Sequence, residues 1–408
     1  MKVKFKGKYK ISSSIAWLAT LILFCSFYIL DGYSYGKYIL FICTMVIGLV
    51  TVYQNSWKIR FKFEIYHCFL LLLISLCFMS SIWAIIPKYA TEKAFTLLQI
   101  FICMSILYLY YSKEKGVNTL INIVMLSGYI LSFYTIFFIG IDTMKYVLFV
   151  GERLGNTYAN INSIGIIAAT SIIIAFYKFI YVKKSMNLIL ILPSIFIISM
   201  SGSRKAFVLL IFGIIGLLVL KYAKENPIIF VVKISILGLI IIFALYYLMK
   251  LPIFDVINER MDGLISSFTG VGEIDSSTLK RNKMIQIGIE IFKEKPILGV
   301  GIGNAKEILY QNTGWDTYLH NNYIEIISSL GLLGFTLYYA IWGYVLIWIY
   351  KLKKFDDKSS ILCIVLILSQ FILDYGMVSY YSKTTFFYLM IYYLQLRNLK
   401  RKRNNYVN

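Results

Sequence analysis

Apolar residues in this chain fall into long runs separated by short polar segments. A helix needs about 20 mostly apolar residues to cross the hydrocarbon core of a bilayer. Runs of that kind lie near residues 11–30, 38–53, 65–86, 94–111, 120–140, 161–181, 187–200, 206–220, 228–248, 325–350, 360–378 and 384–396. They predict an all-α polytopic membrane protein with about 12 transmembrane helices. The seventh, eighth and twelfth runs are short for a span. The first follows the basic segment MKVKFKGKYK, as the core of a signal peptide would. It is long enough to span and no A-x-A-like cleavage site follows, so a retained helix is expected. No repeat, low-complexity tract or soluble domain interrupts the pattern, and residues 1–408 read as one membrane domain.

The polar segments give the direction of threading. With the N-terminus in the cytoplasm, the cytoplasmic segments are 1–10, 54–64, 112–119, 178–187, 221–227, 351–358 and 397–408. They carry about three times the Lys and Arg of the short segments on the other side, which is the positive-inside pattern. Both termini are therefore expected in the cytoplasm. Two longer polar segments then face outward. One is a large extracytoplasmic loop, 249–320, between the ninth and tenth helices; the other is 141–160.

Composition agrees: 59% of residues are hydrophobic, 15% are charged, and mean hydropathy is +0.73. A net charge of +21 would point a soluble protein toward nucleic acid. Here the basic residues gather between spans, so membrane lipid is the expected surrounding and no nucleic-acid partner is expected. The six cysteines lie in or beside apolar runs without a CxxC, and read as small buried hydrophobes. No zinc spacing, DxD pair, Walker motif or GxSxG occurs, so neither a metal nor a cofactor is expected.

Candidate chemistry sits in the outward segments. From Leu279 to Glu294, Met284, Ile285, Gly288, Ile291 and Phe292 form one helical stripe, with Lys280, Lys283, Gln286, Glu290 and Lys293 opposite. Arg281 lies three and four residues before Met284 and Ile285, so it extends the apolar stripe. There it meets either a buried anion or, more plainly, a lipid headgroup by snorkelling. Lys295 and Pro296 end that helix, and Gly299, Gly301 and Gly303 alternate after it. The glycines serve either close ligand approach or a tight turn. His320 precedes Asn321 and Asn322, either of which can cap the next helix. At such a positive helix end the imidazole should be neutral and able to act as a base, or it is a structural loop histidine. His67, at the start of the third helix, reads as an interfacial polar residue. Arg204, in SMSGSRKAF, opposes the dipole of the helix it begins, as an anion-binding or a merely flanking cation. Arg153 lies in GERLGNTYANINSIG with Asn156, Asn160 and Asn162, a set suited to phosphate and sugar hydroxyls or simply a polar loop.

RLGNTYANIN, SGSRKAFVLL, RNKMIQIGIEIFKEKPILGVGIGN and HNNYIEIISSLGLLG, in this order and on this topology, resemble the motifs of the O-antigen ligase and polysaccharide polymerase family. The likeness covers roughly Glu152 to Gly334. The family's tryptophan shortly after the third arginine is not found; Ile285 and Ile287 stand there. The resemblance implies an inverting, metal-independent glycosyltransferase. It would act on undecaprenyl-diphosphate-linked oligosaccharide at the outer face of the bacterial cytoplasmic membrane. Arg153, Arg204 and Arg281 would meet the diphosphate and His320 would be the catalytic histidine. Arg281 would share in catalysis, and Asn160, Asn162, Gly299, Gly301 and Asn321 would contact the substrate. A polymerase joining repeat units is favoured over a ligase moving finished glycan to a lipid core or protein. A flippase without covalent chemistry is the reading from another class. A chain-length regulator and a flippase are expected partners.

Overall fold

A computed structural model of the chain describes residues 2–407 except 32, 34, 57–61, 114, 151–153, 155–158, 184–187, 224, 249, 251–253 and 270–275. In chain order its helices are α1 (Lys2–Ile29), α2 (Tyr35–Gln54), α3 (Ile65–Met79), α4 (Pro87–Tyr111), α5 (Gly116–Ile139), α6 (Ile141–Val150), α7 (Ile161–Val182) and α8 (Leu188–Ser201). There follow α9 (Arg204–Tyr222), α10 (Pro227–Leu248), α11 (Asp255–Thr269), α12 (Ser276–Glu294), α13 (Ala305–Thr313), α14 (Asn322–Leu352), α15 (Asp357–Asp374) and α16 (Lys383–Val407). No strand occurs among the described residues, and the architecture is an all-α polytopic membrane fold.

Each of the twelve apolar runs falls on a helix. By length and composition, eight of the described helices can cross a membrane, and α8 and α10 hold shorter apolar stretches. The eighth run, short in sequence, gains length because Ser203 caps α9 two residues earlier, accepting from the Ala206 N–H. Large apolar side chains such as Phe137, Phe41 and Leu72 stay exposed, as a surface turned to lipid tails requires. Inside, Trp342, Tyr338, Tyr380, Phe387 and Tyr66 are fully buried. Helices approach closely where side chains are small: a Cβ on Gly128 of α5 would stand 2.6 Å from Ser171 of α7.

The loops sort to two ends of the bundle, as the alternation of spans requires. At one end Arg397 pairs with Glu64 at 3.1 Å, Lys402 pairs with Asp356 at 3.1 Å, and Arg401 donates to the Ser112 carbonyl. These ions join segments read as cytoplasmic. His67 lies on the same side, wholly buried, with Nδ1 accepting from the Glu64 N–H in a capping box on α3. Burial among helices, not an interface, is its setting. At the other end one cavity is lined by Asp31, Asn160, Lys205, Tyr318 and Ser382, all from segments read as outward.

The large loop folds into α11, α12 and α13. α12 buries Thr278, Met284, Ile287, Gly288 and Ile291, with Val300, Leu309 and Leu319 completing a small separate core. Ile287 takes a place that the sequence stripe gave to Ile285 and Phe292, which are half-buried. Lys280, Lys283, Gln286, Glu290 and Lys293 are all exposed, as expected. Gly288 allows α12 to meet the start of α14, since a Cβ there would lie 2.2 Å from Ile324.

α14 breaks at Gly331, whose φ of 63° and ψ of −164° no other residue adopts easily. The break frees the Ser328 and Ser329 carbonyls from their helical partners. They accept instead from the N–H groups of Val300 and Gly301, at 3.0 and 2.9 Å. Leu332 N–H, freed by the same break, donates to the Pro296 carbonyl at 2.8 Å. The glycine-rich loop is thus sewn into a membrane helix.

Candidate functional site

The site forms where helix ends converge at the end of the bundle opposite Arg397 and Glu64. The first turns of α7, α9 and α16 line a cavity of about 410 Å³ through Asn160 and Asn162, Lys205, and Lys383 and Thr384. Lys93 enters from the second turn of α4, where its ammonium lies 4.0 Å from the centre of the Tyr381 ring. Helix N-termini carry partial positive charge, and three lysines add to it. Asp31 is the acidic side chain on the wall. Such a cavity suits an anion with several oxygens.

Arg204 is 5% exposed at the head of α9. Its Nη1 donates to Thr278 Oγ1 at 3.0 Å and its Nη2 donates to Ser277 Oγ at 2.9 Å. It thereby holds the first turn of α12, and Arg281 follows one turn later on the same face. Arg281 is half-buried, and its charge acts on both Tyr318 and His320. The expected extension of the apolar stripe through Arg281 holds, between buried Thr278 and Met284.

His320 sits in the left-handed region, with φ 54°, in the turn before α14. Its ring lies against Tyr318, with centroids 4.2 Å apart. Nε2 is 3.4 Å from Thr317 Oγ1, and Nδ1 is buried without a partner among the described residues. Burial first, then the charges of Arg281 and Lys205, push its pKa down to about 4. The imidazole is therefore neutral near pH 7, as a base must be. Burial pushes the Tyr318 hydroxyl up, and the charge of Glu325 adds to that.

Other predicted residues have different settings. Arg153 lies outside the described residues. Asn321 is the N-cap of α14, with Oδ1 accepting from the Ile324 N–H at 3.2 Å, and is 4% exposed. Capping engages its side-chain oxygen and gives Asn321 a structural role in this turn. Gly299 and Gly301 also pack against protein. A Cβ on Gly299 would stand 2.5 Å from the Ser328 carbonyl oxygen, and one on Gly301 would stand 2.6 Å from Ala84. With φ of 64° and 94° they serve close backbone packing. Gly303, in contrast, lines a neighbouring cavity. Asn160 caps α7 through Oδ1, at 3.1 Å from Asn162 N, while also reaching the first cavity.

Several residues escaped the sequence reading: Lys93, Lys205, Lys383, Glu325, Tyr318 and Tyr381. Lys205 stands beside Arg204 and reads as a flanking charge. Glu325, one turn into an apolar span and 1% exposed, carried the only available signal, because a carboxylate in such a run is costly without a task.

The chain matches no curated protein over its length. Residues 188–339, which hold Arg204, Arg281, His320 and Glu325, match the family model described as O-antigen ligase. That match spans a little over a third of the chain and supports the O-antigen ligase and polymerase family.

Proposed function

We propose that this protein is a polysaccharide polymerase of the O-antigen or capsule type, working at the outer face of the bacterial cytoplasmic membrane. Its donor is glycan linked to undecaprenyl diphosphate. The observation that carries the reading is the meeting of a neutral, half-buried His320 with Arg281 and Lys205 beside a cavity of helix N-termini. Lys205, Lys383, Asn160 and Asn162 receive the diphosphate. Arg204 holds α12 so that Arg281 faces the charge that develops. His320 takes the proton from the acceptor hydroxyl as that oxygen bonds to the anomeric carbon. The bond from that carbon to the diphosphate oxygen breaks, and the lipid diphosphate leaves with the electron pair. A lipid diphosphate is already a good leaving group. Fixed cations at a partly dry interface therefore stabilise the step where it most needs it. A flippase delivers the donor, and a chain-length regulator sets how often transfer repeats.

A ligase would use the same donor chemistry with a lipid core or protein as acceptor. Gel analysis of surface polysaccharide from a deletion strain separates the two. Loss of the ladder with a single repeat unit on the final acceptor, restored by wild type, is the polymerase outcome. Polymer stranded on the lipid carrier is the ligase outcome. Complementation with His320→Ala or Arg281→Ala should leave no polymer while the protein stays in the membrane. Wild-type chain lengths in both variants would overturn the site assignment, and unchanged glycan on deletion would return the transporter reading.

A further inference from the structure

A second cavity, of about 470 Å³, adjoins the first and shares Lys93, Tyr318 and Tyr381 with it. The two differ in chemistry. The first is walled by lysines and helix N-termini; the second adds Glu92, Asp316 and Glu325, with Tyr89 and Thr317. Thr317 is also the residue whose hydroxyl meets His320 Nε2. His320 thus meets the second cavity through Thr317, while Lys205, which lines the first, and Arg281 both act on its charge.

Glu325 is buried at 1% exposure yet lines this second cavity. One carboxylate oxygen accepts from the Leu319 N–H at 2.9 Å. Its other oxygen has no hydrogen-bond partner among the described residues. That oxygen is not sealed in protein but opens on the cavity that Glu325 lines, where it is free to accept from a ligand hydroxyl. The rest of the wall is mixed polar and aromatic, with Tyr89 in it, one face of its ring under the Lys306 ammonium at 4.2 Å. Gly303, with φ 74°, leaves room beside Lys93.

We propose that this second cavity is the acceptor-sugar subsite, in which the free oxygen of Glu325 accepts a hydrogen bond from a sugar hydroxyl and Tyr89 flanks the ring. The proposal rests on the transferase reading above. Inversion needs the acceptor and the diphosphate on opposite sides of the reacting carbon. Two cavities of different charge meeting at Tyr318 supply those two sides. Glu325 positions the acceptor, and His320 remains the base.

The test uses the full chain in lipid nanodiscs. The fixed donor is the lipid-linked unit extracted from cells lacking the protein, and the varied acceptor is the oligosaccharide freed from that lipid by mild acid. Glu325→Gln keeps an acceptor for the Leu319 N–H and should raise the acceptor KM about tenfold, the worth of one hydrogen bond to a charged group. The donor KM should not move. Tyr89→Ala, at a half-buried position, should raise the acceptor KM as well, and decides the matter if Glu325→Gln fails to fold. Lys383→Ala should raise the donor KM instead. An active wild type whose acceptor KM is unmoved in both variants overturns the subsite alone. A wild type that transfers nothing overturns the transferase reading and the subsite with it.

Discussion

On the proposed function, the protonation of His320 should govern both activity and stability. In the fold its pKa is pushed down to about 4 by burial and by two nearby cations, whereas in an unfolded chain an imidazole titrates near 6.5. The free enzyme should therefore keep its base down to about pH 4. The acid limb of kcat/KM against pH should fall there, and a limb near 6.5 would contradict the base assignment. Stability follows the same shift with a defined sign. Between pH 6.5 and 4 the unfolded chain takes up a proton that the folded chain refuses, so folding weakens as pH drops through that window and not further below it. Melting temperature in detergent, compared between wild type and His320→Gln, should show the wild type losing ground across that range.

At the scale of elements, the decisive joint is between the loop at 296–301 and the broken α14. A Cβ on Gly331 would lie 2.2 Å from the Ile297 carbonyl, in a backbone conformation that costs a non-glycine residue about 1–3 kcal/mol before any clash. Gly331→Ala should therefore unfold the joint and lower the melting temperature. Gly343→Ala in the same helix meets nothing within 4 Å and should be neutral or stabilising by about 0.5–1 kcal/mol. Equal melting temperatures for the two variants would refute the joint. How much was legible follows from the physics of each element. The spans were readable because a bilayer dictates their length and apolarity. The stripe of α12 was readable because its 3.6-residue period was intact, and it carried Arg281 with it. The joint was not readable. Glycines at 299 and 301 announce backbone freedom, but nothing local says that the backbone they approach is Ser328 to Leu330, exposed by a break about thirty residues later. The site's lysines were hidden for a similar reason: Lys93, Lys205 and Lys383 each look like flanking charge on their own helix.

At the scale of the whole molecule, the site exists only if the helices alternate in one sense. Its walls come from the ends of α1, α4, α7, α9, α14, α15 and α16, and one inverted helix would send its residues to the far end. The opposite end is held by Arg397 with Glu64 and Lys402 with Asp356, among the basic segments that the positive-inside pattern assigns to the cytoplasm. The two ends thus differ in purpose as well as in charge. The basic end is the one that the positive-inside pattern expects to stay in the cytoplasm. The other end brings fewer cations, but sets them at helix N-termini where an anion can use them. Reporter fusions test this arrangement. Alkaline phosphatase fused after Thr313, at the end of α13, should be active, because the site-bearing segment is outside. The same enzyme fused after Phe355 should be inactive, because that turn carries Lys351, Lys353 and Lys354. Activity at Phe355 with none at Thr313 would put the cavities on the cytoplasmic side. No lipid-linked glycan presented at the outer face could then reach His320.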